Sequence, residues 1–302
     1  MSHYHQPFLK RKIVEYVFWP IQGLMVALIV GLIRLFPVRM TSAFFGKVIS
    51  LIGPLTPHHK RARTHLRYAF DDLTDTQEAK ILSDMWAHFG RLAGEYPHIH
   101  KMGSSKFLTF HGLHHLENAH EGGFVIGGHI GNWELHLMVS AMLDQPYGAI
   151  YRPLNNPYSN WVLDMRSKRG RGDFYAKGQD AARGMLKTIK NKGMVYLFTD
   201  QKYREGITAP FLGHPAATPI GHIKLALKRK TPIFYMRIIR REGCHYDVTI
   251  SEPHYIYTDG KVTDALIEKH AREMNDVLSD FIRQTPSQWL WPHRRWGKDL
   301  SK

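Results

Sequence analysis

The chain has 302 residues, of which 43% are hydrophobic and 12% aromatic, so it can bury a sizeable core and a disordered polymer is excluded. A single cysteine, Cys244, rules out an internal disulfide and any multi-cysteine zinc site, and fits a reducing compartment. The formal net charge of +15 calls for an acidic counterpart: nucleic acid, an anionic membrane face, a phosphorylated substrate or an acidic carrier protein.

The N-terminus bears on that choice. KRK at 10–12 precedes the apolar run YVFWPIQGLMVALIVGLIRLF at 16–36. As a helix the run measures roughly 30 Å, one hydrocarbon thickness. Tyr16, Phe18 and Trp19 suit an interfacial belt at one end. A membrane anchor, a cleaved signal peptide and a buried core helix all fit such a run, although no A-x-A-like cleavage site follows it. A second apolar run, FFGKVISLIGPL at 44–55, is too short to span and suits the interface. Basic residues flank the first run on both sides, which favours a helix dipping into one leaflet with the body on the cytoplasmic face. Residues 1–56 are therefore expected to form an anchor and interfacial segment, and 57–302 a catalytic body.

Along the body, apolar spacing predicts two helices over 60–100, broken near 71–75. FLTFHG at 107–112 reads as a strand, and FVIGG at 124–128 as a buried strand meeting a turn. A helix follows over 132–143 with Asn132 as its cap, then a strand at 147–152 and a helix over 157–168. GMLKTIKNKG at 184–193 reads as a helix stopped by Gly193, and MVYLFTD at 194–200 as a strand ending in a carboxylate. A helix over 222–230, an antiparallel pair at 231–241 and 245–251, and a long helix over 263–284 complete the chain. Strands alternating with helices predict an α/β fold: a mixed, largely parallel central sheet flanked by helices, with an antiparallel pair at one edge.

The stretch GGHIGNWELH at 127–136 lies where a strand meets a helix N-terminus, the usual ligand end of an open α/β sheet. His129 and Glu134 are five residues apart. On one continuous helix they would point about 140° away from each other. With His129 in the loop and Glu134 in the first turn they can meet, and Gly131 allows the backbone to fold back. Neutral imidazole could then take a proton from a hydroxyl, with the carboxylate holding its far nitrogen. The glycine amides and helix N-terminus could receive a developing oxyanion. A plain turn with a capping Asn and a first-turn Glu fits the same letters, so the motif alone does not decide.

Five blocks in order do more. GGHIGNWE, YRPLNNP at 151–157, TDQ at 199–201, FLGHPAATPIG at 211–221 and PSQWLWPHRRW at 286–296 resemble those of the lipid A biosynthesis lauroyl and myristoyl acyltransferases, a branch of the lysophospholipid acyltransferase superfamily with its H-x4-D/E pattern. Pro292 before His293 departs from that branch's commoner ending. The resemblance implies an enzyme of lipopolysaccharide biosynthesis, without bound cofactor or metal. It would move a fatty acyl group from an acyl carrier protein thioester to a hydroxyl of a phosphorylated glycolipid acceptor, the lipid A precursor, at the inner membrane of a Gram-negative bacterium. His129 would be the general base and Glu134 its partner. Arg152, Asp200, Gln201, Gly213, Thr218, His293 and Arg294 become candidates for substrate binding, as do Arg166 and Arg169 in the basic cluster RSKRGRGDF. Another glycolipid or a lysophospholipid acceptor, with acyl-CoA as donor, is the nearer alternative. A membrane-associated nucleic-acid-binding protein is the more distant one, and no helix-turn-helix, zinc-finger or RNA-recognition signature supports it. HGLHH at 111–115 lacks the carboxylate or cysteine set that would complete a metal site.

Overall fold

The computed structural model describes residues 12–143, 145–165, 172–203, 206–297 and 300. Arg166 and Arg169, with the rest of the basic cluster at 166–171, lie outside the described residues.

Seven strands form the central sheet: β1 (Leu108–His111), β2 (Gly123–Gly127), β3 (Tyr147–Tyr151), β4 (Gly172–Ala176), β5 (Met194–Phe198), β8 (Ile233–Arg240) and β9 (Tyr246–Ile250), in the spatial order β1-β9-β8-β2-β5-β3-β4. All neighbours run parallel except β8 and β9. The fold is thus the expected mixed, mostly parallel α/β sheet. Two details differ. The antiparallel pair is not the edge, because β1 adds in parallel outside β9. Strand β4, on the opposite edge, falls in a Gly- and Asp-containing stretch with no alternating signal. A separate hairpin, β6 (Ile207–Phe211) with β7 (His214–Thr218), was also not apparent from the sequence.

The helices used below are α1 (Trp19–Arg34), α2 (Val38–Ile52), α3 (Pro57–Ala69), α4 (Asp75–Glu95), α5 (His136–Ser140), α6 (Gln179–Lys190), α7 (Gly221–Arg229) and α8 (Asp264–Gln284). Thr74 starts α4 with a reciprocal capping box to Gln77, and Thr263 caps α8 through the Leu266 amide at 3.3 Å. One core lies on the sheet face covered by α3, α4, α7 and α8 and includes Leu66, Met85, Phe124, Leu197, Ile223 and Leu278. The other face buries Val125, Leu137, Tyr147, Tyr196, Met236 and Val248.

The helical run Val14–Arg34 is long and apolar enough to cross a membrane, with only 17% of its most apolar window buried, which sets it apart from a core helix. It is nonetheless tied to the body. Asn156 donates to the Trp19 carbonyl and to Gln22 Oε1, both at 2.9 Å, and Arg34 Nε donates to the Pro97 carbonyl at 3.1 Å. Helix α2 packs its small residues on α4, where Gly94 lies so close that a Cβ would stand 2.4 Å from the Thr41 carbonyl. Met40, Phe44 and Leu51 on its other side are exposed.

Candidate active site

Strands β2 and β5 are parallel neighbours in the register Gly127↔Phe198. Two residues beyond each member of that pair stand His129 and Asp200. Side chains 71 positions apart in sequence are therefore brought together by strand pairing alone. His129 Nδ1 lies 2.8 Å from Asp200 Oδ1, and the His129 backbone N–H donates to Oδ2 at 2.7 Å. The Trp289 indole N–H donates to the same Oδ2 at 2.8 Å. Asp200 is 1% exposed. Burial opposes its ionisation, but the His129 charge and ring N–H, the Trp289 indole and the His129 amide together hold its pKa down at about 2. The carboxylate therefore fixes the imidazole with Nδ1–H toward Asp200. On the other side the Gln201 amide nitrogen donates to His129 Nε2 at 3.1 Å, which leaves the basic lone pair on the nitrogen that faces the cavity.

This corrects the expected pairing. The carboxylate on the far imidazole nitrogen is Asp200, not Glu134. The helix expected over 132–143 breaks into a 3-10 turn, Trp133–Leu135, and the short α5. That turn sets Glu134 on the cavity wall, where it accepts the Trp133 indole N–H at 3.2 Å. Asn132 does not cap the helix. Its amide points inward and donates to Glu95 Oε2 at 3.2 Å and the Tyr246 hydroxyl at 3.3 Å.

The loop has a rigid back. Gly131 has φ of +57°, and a Cβ there would stand 1.8 Å from the Ile238 carbonyl oxygen, so only glycine fits. The Asn132 backbone N–H donates to that same carbonyl at 3.1 Å. His88 Nε2–H donates to the Gly131 carbonyl at 3.1 Å while His88 Nδ1 accepts from Arg240 Nε at 3.2 Å. Burial first, and then the Arg240 charge, lower the His88 pKa to about 3, which keeps it the neutral ring this bridge requires. Arg240 pairs in turn with fully buried Glu95, which also receives the Ser42 hydroxyl at 2.7 Å.

A cavity of about 470 Å³ opens in front of His129. It sits where β3 and β5, whose pairing runs from Tyr147↔Met194 and ends at Ala149↔Tyr196, part toward their C-terminal ends. Leu137, Leu163, Ala181, Met185, Phe198 and Pro219 give it an apolar wall. Among the described residues lining it, the cations are Arg152, Lys177 and Lys202 and the one carboxylate is Glu134. His129 itself lies between the rings of Phe198 and Trp133, at centroid distances of 4.9 and 5.4 Å.

Of the sequence candidates, the cavity gathers His129, Glu134, Arg152 and Gln201 in its wall, with Asp200 directly behind. Gly213 does not line it. With Leu212, also at positive φ, it forms the tip of the β6–β7 hairpin, a turn that favours glycine. Thr218 is buried, donating to the Ala216 carbonyl and accepting from Asn275, so it holds the hairpin rather than a substrate. His293 and Arg294 also lie outside the wall. His293 Nε2 accepts the Lys202 backbone N–H at 2.9 Å, and Arg294 is exposed. Lys177 and Lys202 were missed from the sequence, since isolated lysines carry no signal until the strands place them. Among the described residues one histidine–carboxylate group, His254, His270 and Glu273, is close enough to share a cation. His254 bridges Ile233 at the start of β8, the opposite end of the sheet from His129.

A buried acid–base pair at the C-terminal end of a parallel sheet, beside an apolar cavity with cationic walls, suits group transfer from an apolar donor to an anionic acceptor. The comparisons with known proteins agree. Residues 10–298 match the family model of the bacterial lipid A biosynthesis acyltransferases. A lipid A biosynthesis acyltransferase of Haemophilus influenzae is 25% identical over 284 residues, 89% of this chain and 87% of its own length. The lipid A biosynthesis palmitoleoyltransferase of Escherichia coli is 29% identical over 63% of this chain and 61% of its own. The lauroyltransferase of the same organism is 26% identical over 61% and 60%. The chain is a member of the bacterial lipid A biosynthesis acyltransferase family.

Proposed function

We propose that the enzyme transfers a fatty acyl chain from an acyl carrier protein thioester to a hydroxyl of a phosphorylated lipid A precursor. The observation that carries this reading is the imidazole of His129, held by buried Asp200 on Nδ1 and turning Nε2 to a cavity with an apolar wall and three cations. The acceptor hydroxyl takes the place of the Gln201 amide against Nε2 and gives up its proton there. Its oxygen attacks the thioester carbonyl, the tetrahedral intermediate collapses, and the departing thiolate takes the proton back from His129. Asp200 stabilises the transient imidazolium. The developing oxyanion and the acceptor phosphate call for positive charge, which Arg152, Lys177 and Lys202 supply. Glu134, on the same wall, helps to hold the acceptor.

The reading places the body on the cytoplasmic face of the inner membrane, where carrier-protein thioesters are made, with Val14–Arg34 as its anchor. The +15 charge suits both an acidic carrier protein and an anionic membrane face. The test is an assay with detergent-solubilised enzyme, a tetra-acylated precursor and either acyl carrier protein thioester or acyl-CoA, read by mass spectrometry. One added chain from the carrier-protein thioester is expected, with His129→Ala reduced by at least ~100-fold. Full activity of His129→Ala overturns the mechanism, and a preference for acyl-CoA overturns the donor.

A further inference from the structure

After α8 the chain makes a 3-10 turn, Pro286–Gln288, and then runs across the back of the site. It grips both catalytic loops. On the loop that carries His129, the Gly131 amide donates to the Gln288 carbonyl at 2.9 Å, and Ile130 forms an antiparallel bridge with Trp289. The Gln288 side chain adds two bonds to the Arg240 backbone, at 2.9 and 3.0 Å. On the loop that carries Asp200 and Gln201, Trp289 donates to the Asp200 carboxylate at 2.8 Å and His293 accepts the Lys202 amide at 2.9 Å. Gln201 is therefore bracketed on both sides. Trp289 is 1% exposed, and neither it nor His293 lines the cavity. An apolar side chain would fill the Trp289 site as well. An indole N–H aimed at the carboxylate behind the imidazole is a more specific choice, since a buried carboxylate needs each of its donors.

From this we infer that the C-terminal segment is a strap that sets the two loops in register. Within it, Trp289 and His293 are positioning residues: Trp289 holds Asp200 against His129, and His293 holds the backbone that aims Gln201 at the acceptor position. The inference rests on the proposed role of His129. It extends that role to residues that touch no substrate, and it explains why a Trp-rich block at 286–296 that carries His293 accompanies a site some 90 to 160 residues upstream. In the free carboxylate the Trp289 N–H draws off part of the negative charge. Without it, Asp200 holds the protonated imidazole more strongly, and the acid limb of the rate profile moves to higher pH.

The test measures kcat, KM and the pH dependence of kcat/KM for Trp289→Phe, His293→Gln and His293→Leu in detergent, together with thermal melts. Trp289→Phe is expected to lose roughly 10- to 100-fold in kcat, with KM within about twofold and the acid limb displaced upward. His293→Gln keeps an acceptor for the Lys202 amide and should stay within about threefold of wild type, while His293→Leu loses roughly tenfold. A purely structural role would lower the melting temperature without moving the pH limb or separating kcat from KM. Wild-type kcat and pH profile in Trp289→Phe overturn the strap, as do equal rates for the two His293 variants, which alone decide the matter if Trp289→Phe fails to fold. His129→Ala in the same assay separates the two ideas. If it is inactive while Trp289→Phe is fully active, only the strap falls. If it is active, the proposed function falls first.

Discussion

Replacing Asp200 with Asn keeps the shape of the site and reverses its chemistry. The carboxylate accepts three N–H groups: the His129 amide and the Trp289 indole on Oδ2, and His129 Nδ1–H on Oδ1. An Asn can turn its one carbonyl oxygen to the amide and indole, which leaves its NH2 facing Nδ1. Two donors cannot face each other, so the imidazole must move its proton to Nε2, where the acceptor hydroxyl needs a lone pair. General-base assistance is worth on the order of 10²- to 10⁴-fold. A loss of about 10³-fold in kcat is expected, or about 4 kcal/mol of barrier. The same substitution removes the charge that the three donors stabilise. A carboxyl pKa held at about 2, against an ordinary 3.8, contributes about 2 kcal/mol above pH 4. That stability is present above the unfolded pKa and disappears as pH falls from 3.8 toward 2. Asp200→Asn should therefore melt a few degrees lower yet remain folded at neutral pH. Product formation by mass spectrometry and a thermal melt monitored by circular dichroism decide the outcome. Activity within threefold of wild type would refute the idea that Asp200 sets the tautomer of His129.

Two further outcomes concern the frame around the site. Gly131→Ala forces a side chain into a left-handed backbone position and 1.8 Å from the Ile238 carbonyl, so it should cost about 3 kcal/mol or more and displace His129, which a melt and an activity assay would detect; an unaltered melting temperature would contradict the geometry. Acid should unfold the protein well above the carboxylate range, because burial lowers the pKa of His88 to about 3 and those of His136 and His222 to about 4. Below pH 6.5 the unfolded chain binds protons that the folded chain refuses, so stability falls as pH drops from 6.5 toward 4, by about 3 kcal/mol for each fully buried ring. A melting temperature that stays constant between pH 7 and 4.5 would rule this out.

Local chemistry was legible in the sequence wherever it depends on neighbours in the chain. The strand at 124–128 and its glycines, the long C-terminal helix, the antiparallel pair after residue 231 and the exposed apolar N-terminal run each follow from periodicity or turn residues, and the structure has them. The alternation of strands and helices was enough for the α/β class. His129, Asp200 and Gln201 were each visible as residues at strand ends. Their pairing was not. Glu134 was the natural partner for His129 because it is five residues away, and a carboxylate 71 residues away has no spacing that points to it. Only the register Gly127↔Phe198 puts Asp200 there, and that register is set by the packing of whole strands in one sheet. Gly213, Thr218 and His293 show the same limit from the other side. Each occurs in a block that resembles a site, yet one turns a hairpin, one is buried within it and one holds a backbone amide. Which end of the sheet carries the chemistry was decided by the order of letters along the chain. Which side chains meet there was decided by the tertiary structure, because hydrogen bonds between parallel strands join residues without regard to their distance in sequence.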